Sequence, residues 1–187
     1  MAPRKKDHLV QTALDLFDRE GFTATGIDKI LATAGVAKMT LYNNFKSKEE
    51  LIVATLESRD SAWRDWFEKT VTDATASPAD RLAGLFDAQE AWFSQRGFRG
   101  CLFQKASAEF PARKGPIRTA ILDHKMQVFA FVRELCEAAG AADPIVLAGE
   151  LYLLMEGATV SAQVTGDKTA ALRARQAAEG IISAALA

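Results

Sequence analysis

The sequence predicts an all-α protein, with an N-terminal three-helix unit of the helix-turn-helix type followed by a C-terminal helical bundle. Apolar residues recur at helical spacing along most of the 187-residue chain, and no segment alternates as a strand would. Two pairs of a hydroxyl and a carboxylate mark helix starts only 22 residues apart, at Thr25 and Ser47. Prolines and glycines separate the later apolar segments, as expected for consecutive helices joined by short loops.

The helix-turn-helix unit is predicted at residues 25–44. Thr25 precedes Asp28 by three positions, the spacing of a capping box, which predicts a helix from Ile27 to Ala34. Gly35 supplies the backbone freedom that ends this helix. A second helix follows from Lys38 to Asn44, roughly 10 Å long, which suits a major groove about 12 Å wide.

A third helix begins directly after this pair, where Ser47 and Glu50 repeat the capping spacing. Five apolar residues are predicted to form a small core beneath the turn: Ile30, Ala34, Val36, Leu41 and Phe45. We therefore place a domain boundary here, between residues 1–47, which are predicted to bind DNA, and residues 48–187.

This third helix and five further helices are predicted from apolar periodicity and from the prolines and glycines that bound it. They cover approximately residues 48–74, 82–93, 101–110, 116–139, 144–165 and 169–186. The last two are rich in Ala, Leu and Gly, and exposed apolar helices would aggregate unless covered. A four-helix contact between two copies of the chain is therefore expected at this end.

The charge distribution is compatible with a nucleic-acid partner without proving one. The net charge is −1, so the chain as a whole is not a bulk binder of polyanions. Residues 1–48 nevertheless hold eight Lys and Arg against five Asp and Glu, whereas the remainder holds fifteen against nineteen. Solvated surface charge explains this asymmetry equally well. The basic arm Arg4-Lys5-Lys6 either contacts phosphate or is a soluble terminus.

From about Lys5 to Leu56 the chain resembles the TetR family of transcriptional regulators. The residues that carry the resemblance are Ala13-Leu14-Asp15-Leu16-Phe17, Gly21-Phe22, Thr25, Ile30, Ala34-Gly35-Val36, Thr40-Leu41-Tyr42, Phe45 and Ser47-Lys48-Glu49. Residues 98–103 and 108–111 also look like one branch of that family. The resemblance implies an all-helical homodimer that binds a palindromic operator and releases it when a small molecule enters the C-terminal domain.

The resemblance also assigns DNA-binding positions. The groove-facing residues are Lys38, Met39, Thr40, Tyr42, Asn43 and Asn44, and the phosphate contacts are Thr25, Ile27 through its amide, Tyr42, Lys46 and Lys48. Their chemistry suits these roles, because helix starts bind phosphate, Asn pairs with adenine and Lys with guanine. Tyr42 has a second interpretation as a half-buried core aromatic. Leu31 and Ala37 depart from the family, where a small residue and a capping Ser are usual.

A binding pocket in the C-terminal domain is predicted from an excess of large apolar side chains. The candidate ligand-binding residues are Trp63, Phe67, Phe86, Trp92, Phe93, Phe103, Met126, Phe129 and Met155. As a group they favour an apolar or aromatic effector, although for any one of them plain core packing is the simpler interpretation. Gln89, Gln104, His124 and Gln127 are candidates for orienting the effector.

Other classes of protein receive little support. The sequence holds no glycine-rich phosphate loop, nucleophile elbow or metal-type pairing of Cys with His, so we expect no enzyme, no catalytic residue, no cofactor and no metal site. A DNA-bound protein without an effector remains an alternative. Cys101 and Cys136 are expected to be reduced and structural, with a redox role for Cys101 as the other possibility.

The cytoplasm is the expected compartment. Asp7, His8, Gln11 and Asp15 interrupt any signal-peptide core. The longest apolar stretch, Pro144–Val160, carries Glu150 and Glu156 and is short for a bilayer span.

Overall fold

The computed structural model describes residues 5–75 and 77–187, and within those ranges it contains nine α-helices and no strand. The helices are α1 (Lys5–Glu20), α2 (Ile27–Ala34), α3 (Lys38–Tyr42), α4 (Lys48–Ala74), α5 (Pro78–Phe93), α6 (Leu102–Glu109), α7 (Pro116–Ala138), α8 (Pro144–Thr165) and α9 (Ala170–Ala185). The all-α prediction is confirmed. Of the proposed basic arm, Arg4 lies outside the described residues, whereas Lys5 and Lys6 begin α1.

Local sequence explains most of the helix boundaries. The α5 helix starts with Pro78 in its first turn, and the hydroxyl oxygen of Ser77 accepts the Asp80 amide at 3.4 Å. The Asp143 carboxylate accepts the amides of Ile145 and Val146 at the start of α8. These are ordinary caps, since a side-chain oxygen satisfies an amide that has no partner inside the helix.

The described residues form two compact units, which are considered separately. Unit 1 comprises residues 5–62 and 102–124, which include α1 to α3, the first half of α4, and α6. Its core is made of fully or almost fully buried apolar side chains: Leu9, Ala13, Leu16, Phe17, Phe22, Ile30, Leu41, Phe45, Leu51 and Leu56. The ring of Phe22 lies 5.0 Å from that of Phe17 and 5.7 Å from that of Phe110.

Unit 2 comprises residues 63–101 and 125–187, in which α5, α8 and α9 pack around one apolar core. That core includes Leu82, Leu85, Phe86, Phe93, Leu147, Leu151, Met155 and Ala171. The buried side chain of Gln89 links α5 to α8 within this core. Its amide nitrogen donates to the Met155 carbonyl oxygen and to the Thr159 hydroxyl oxygen, both at 3.0 Å. An ion pair of 3.1 Å between Arg175 and Asp87 joins α9 to α5 at the surface.

The α8 helix has two apolar faces. By length and composition it is the one helix in the described part of the chain that is apolar enough to cross a membrane, which is weak evidence on its own. One face, with Leu147, Leu151 and Met155, is buried in the core of unit 2. The opposite face leaves Leu153 and Val164 more than two-thirds exposed. In the single chain, therefore, one face of α8 is buried in the core and the opposite apolar face is exposed.

Candidate DNA-binding surface

The short α3 helix is held in place by buried side chains on the inner face of the helix-turn-helix. Ile30 and Leu41 are completely buried and Phe45 almost so, whereas Val36, also predicted for this core, is only half-buried. Gly35 ends α2 with φ of 64°, a left-handed conformation that costs glycine little. Ala37 precedes α3 without a side-chain cap. The missing cap leaves α3 dependent on its tertiary contacts.

The expected capping box at the start of α2 is wrong. Gly26, not Thr25, is the residue that flanks the helix, and it provides no side-chain hydrogen bond. Thr25 is fully buried, and its hydroxyl donates to the Gly21 carbonyl oxygen at 2.7 Å. This contact, within the turn before α2, uses the hydroxyl that the capping spacing assigned to the helix start. The side chain of Thr25 thus fixes the turn before α2, and the amide of Ile27 stands at the helix start.

The outer face of the unit carries most of the residues assigned to DNA contact. Lys38, Met39, Tyr42, Asn43, Asn44 and Lys46 are exposed, and Thr40 is half-buried. Met39 is 69% exposed and Tyr42 48%, so Tyr42 is not a core residue. The side-chain amide of Asn44 donates to the Thr40 carbonyl oxygen at 2.7 Å, which turns it back toward α3. Lysine, asparagine and tyrosine side chains are thus exposed together on α3 and on the turn after it.

The start of α4 fits the second predicted capping box. The hydroxyl oxygen of Ser47 accepts the Glu50 amide at 3.2 Å, and the Glu50 carboxylate accepts the Lys46 amide at 2.7 Å. Lys48 is different from its neighbours, because its ammonium group donates to the Phe22 carbonyl oxygen at 2.6 Å. Burial lowers the pKa of Lys48, against the charge of Glu109, which raises it. The hydrogen bond to Phe22 holds the Lys48 ammonium at the α1–α2 turn, whereas the backbone amide of Lys48 lies at the start of α4.

Unit 1 also contains a clasp that local sequence patterns did not predict. The carboxylate of Glu109, the last residue of α6, accepts the amides of Phe22 at 3.0 Å and Thr23 at 2.6 Å. Partial burial opposes ionisation, but these hydrogen bonds and the charge of Lys48 outweigh it and hold the pKa of Glu109 below its usual value. Beside it, the Lys105 ammonium contacts the Asp18 carboxylate at 2.9 Å. We name this set, Glu109 and Lys105 with their partners in the last turn of α1 and on the α1–α2 turn, the α6 clasp.

The predicted ligand-binding residues fall into different surroundings. In unit 2 the Trp63 ring stacks on Phe67 at 4.7 Å and meets Trp92 edge-on at 5.2 Å. Phe67, Phe86, Phe93 and Met155 are buried in the same core, and Phe129 packs against Tyr152. Met126 is instead 59% exposed. Phe103 belongs to unit 1, where its ring stacks on His124 at 3.6 Å.

Several polar side chains of the two units contact one another within their own unit. His124 Nδ1 lies 2.7 Å from an oxygen of Asp60 in unit 1. In unit 2 the Lys125 ammonium contacts the Glu156 carboxylate at 2.6 Å and lies 3.9 Å from Cys101 Sγ. Burial, with a contribution from Glu137, raises the pKa of Cys136 to about 11. In the described residues no group of three or more His, Cys, Asp or Glu could hold a metal ion.

The fold and the surface define a class of protein. A helix-turn-helix with an exposed, cation-bearing second helix, followed by a helical bundle, is the architecture of a DNA-binding regulator. Family models agree: residues 9–55 match the bacterial regulatory proteins of the tetR family, and residues 78–178 match the tetracyclin repressor-like C-terminal domain. The second match alone spans more than half of the chain. The chain belongs to the TetR family of transcriptional regulators and is not an enzyme.

Individual relatives span nearly the whole molecule. The transcriptional repressor NemR of Escherichia coli is 29% identical over 168 residues, which cover 86% of this chain and 84% of NemR. The regulator AcuR of Cereibacter sphaeroides is 26% identical over 164 residues, which cover 83% of this chain and 75% of AcuR. Among solved structures, the TetR-family regulator SCO4454 of Streptomyces coelicolor superposes with a TM-score of 0.90 at 27% identity. The superposition covers 98% of this chain and 96% of the SCO4454 chain.

Proposed function

We propose that the protein is a transcriptional repressor that binds a palindromic operator as a homodimer. The observation that carries this proposal is the row of exposed residues Lys38, Met39, Tyr42 and Asn43 on a helix whose opposite side is buried. NemR, 29% identical, is named a repressor. In this proposal residues 1–47 read DNA, and residues 48–187 regulate and dimerise.

The exposed residues divide by their chemistry into those suited to base edges and those suited to phosphates. Lys38 and Asn43 are suited to the edges of guanine and adenine in the major groove, with Met39, Thr40 and Asn44 completing the groove surface. Lys46, the hydroxyl of Tyr42 and the backbone amides of Ile27 and Lys48 are suited to phosphates. The turn that Thr25 fixes sets the position of the Ile27 amide. Two protomers would place α3 in successive major grooves about one helical turn apart.

Dimerisation is proposed through the uncovered face of α8 together with α9. Leu153, Val160 and Val164 lie 7 and 4 residues apart on one side of α8 and are 72%, 46% and 76% exposed. Gly157 lies on the same side with open space around it, which permits close approach of a second helix. Leu172 adds an exposed apolar side chain on α9. A second copy is the occupant that covers such a face symmetrically.

Release is proposed to follow from a small apolar or aromatic effector that binds among the aromatic residues of unit 2. Trp63, Phe67, Trp92 and Phe93 form a connected group of rings there, and Phe86, Phe129 and Met155 extend the apolar surroundings. Met126 and Phe103 remain predictions from the excess of large apolar side chains and are not assigned to this group of rings. DNA affinity would fall by the ratio of effector affinities for the free and DNA-bound forms. The α4 helix, which runs without a break from Lys48 to Ala74, is the proposed route of transmission.

In this proposal the partners are duplex DNA, a second copy and the effector, with no membrane, and the compartment is the cytoplasm. The exposed apolar face of α8 is assigned to the dimer rather than to lipid.

The proposed DNA surface is tested by fluorescence anisotropy on duplex DNA recovered by selection from a random pool. Tyr42→Ala and Lys46→Ala should each weaken binding at least about tenfold while circular dichroism stays unchanged. Lys69→Ala, which removes a lysine exposed on α4 in unit 2, is the matched control and should bind as the wild type does. Equal affinity of all four proteins would remove α3 and the turn after it from the DNA interface.

A further inference from the structure

An open groove lies on unit 1 where α6 ends and α7 begins. Its volume is about 460 Å³, and its lining residues are Ser107, Phe110, Pro111, Arg113, Arg118 and Leu122. All six belong to residues 102–124 of unit 1, and none of them belongs to the aromatic group of unit 2. Its volume falls within the range of about 300 to 1,000 Å³ that small-molecule sites occupy.

The groove combines an apolar surface with cations. Phe110, Pro111 and Leu122 supply the apolar part, and Leu122 is 42% exposed although it is a large aliphatic residue. Arg113 and Arg118 supply two guanidinium groups, Ser107 supplies a hydroxyl, and the lining contains no carboxylate.

Neither guanidinium is committed elsewhere in the part of the chain that the structure describes. The ion pairs found there in unit 1 join Lys29 to Glu20, Lys105 to Asp18 and His124 to Asp60, and none includes Arg113 or Arg118. A guanidinium presents a planar fork of donors that matches a carboxylate in two parallel hydrogen bonds. Two of them beside an apolar surface favour an anion that carries its own apolar body.

We propose that this groove is a second ligand site, which takes an organic carboxylate with an aromatic or aliphatic body. The carboxylate meets Arg113 and Arg118, and the body covers Phe110, Pro111 and Leu122. An inorganic anion would leave that apolar surface exposed, and a neutral hydrocarbon would leave both guanidinium groups without a partner. The site accepts anions, whereas the effector proposed for unit 2 is apolar.

The groove is joined to the DNA-reading end of unit 1 through its own lining. The Phe110 ring meets the Phe22 ring edge-on at 5.7 Å. Its neighbour Glu109 holds the amides of Phe22 and Thr23, the residues that lead into α2. A ligand packed on Phe110 therefore acts on the α6 clasp directly, and binding in this groove should change DNA affinity through the α1–α2 turn.

Isothermal titration of the full chain with three probes tests the site: 2-naphthoate, 2-naphthamide and inorganic phosphate. Naphthoate should bind at least about tenfold more tightly than naphthamide, which has the same body without the charge, and also more tightly than phosphate. Arg113→Gln and Arg118→Gln should each weaken naphthoate about tenfold or more. The control Arg96→Gln, an exposed arginine of unit 2, should leave naphthoate binding unchanged.

Several results would overturn the proposal. Equal affinity for naphthoate and naphthamide, or naphthoate binding that survives both substitutions, would place the ligand elsewhere. Equal affinity for phosphate would show an anion site without use of the apolar surface. Absence of naphthoate binding would remove the site altogether. If the Arg113→Gln, Arg118→Gln double variant loses DNA affinity without any ligand, the two arginines serve DNA phosphate and the proposal is wrong.

Discussion

The α6 clasp makes a quantitative prediction about unit 1. Glu109→Ala removes two hydrogen bonds from backbone amides to a charged acceptor, at 3.0 and 2.6 Å. Such bonds contribute about 1.5–3 kcal/mol each when shielded from solvent. The carboxylate here is only partly buried, so water replaces part of the loss. We expect the free energy of unfolding to fall by about 2 kcal/mol for Glu109→Ala, and by about half of that for Glu109→Gln, which retains one acceptor oxygen.

Urea denaturation and amide hydrogen exchange measure this effect. The midpoint should fall for both variants, and exchange should accelerate most at the amides of Phe22 and Thr23. Because the folded pKa of Glu109 is lowered, its contribution is present above the unfolded pKa of about 4.3 and is lost as pH falls through the folded value. The difference between wild type and Glu109→Ala should therefore shrink below about pH 4.

Glu134→Gln is the matched control, because Glu134 is an exposed carboxylate in the last turns of α7. It should change neither the urea midpoint nor the exchange of Phe22 and Thr23. If Glu109→Ala leaves the midpoint and both exchange rates unchanged, the clasp contributes nothing. Its proposed role in holding the α1–α2 turn would then be refuted.

Three further predictions concern other parts of the chain. Leu153→Glu places a charge on the exposed face of α8 and should convert a dimer into monomers in sedimentation velocity; a dimer that persists would exclude that face. Ala37→Ser adds the missing cap to α3 and should raise the free energy of unfolding by about 0.5–1 kcal/mol in urea titration; an unchanged or lower value would contradict this. The Cys136 thiol, with its raised pKa, should resist iodoacetamide at pH 7.5 until urea unfolds the chain, and rapid alkylation of the native protein would contradict its burial.

The sequence predicted the helix-turn-helix well where local chemistry decides the structure. The predicted bounds of α2, Ile27 and Ala34, agree with the structure, and Gly35 ends the helix as predicted. The α3 helix is shorter than predicted, since it ends at Tyr42 and Asn44 folds back on Thr40. The cap at Thr25 is wrong because the same hydroxyl donates to the Gly21 carbonyl oxygen, four residues earlier in the preceding turn, and the capping spacing does not distinguish these two partners.

Contacts between residues far apart in the chain could not be predicted from the sequence. Glu109 lies 86 and 87 positions from its partners Thr23 and Phe22, and no local pattern pairs a residue at the end of one helix with a turn so far away. The residues around Glu109 did resemble one branch of the TetR family, but that resemblance assigned them no role. The aromatic residues of unit 2 were identifiable as apolar, whereas the exposure of Met126 and the place of Phe103 beside His124 required coordinates.

The salt dependence of DNA binding follows from the side chains that are free to meet phosphate. Lys38 and Lys46 are exposed, whereas the Lys48 ammonium is held by Phe22. Because Lys38 is assigned to a base edge, Lys46 is the lysine that meets phosphate in each of the two protomers, and log affinity should fall against log salt with a slope of roughly −2. A slope near zero, measured by anisotropy at several salt concentrations, would contradict these contacts.

The central claim is that two copies of α3 read duplex DNA together, and selection of bound duplexes from a random pool tests it most directly. The recovered sequences should share an inverted repeat whose half-sites are centred about 34–36 Å apart or a multiple of that distance. Recovery of no common sequence, or of a single half-site bound by one chain, would contradict the claim.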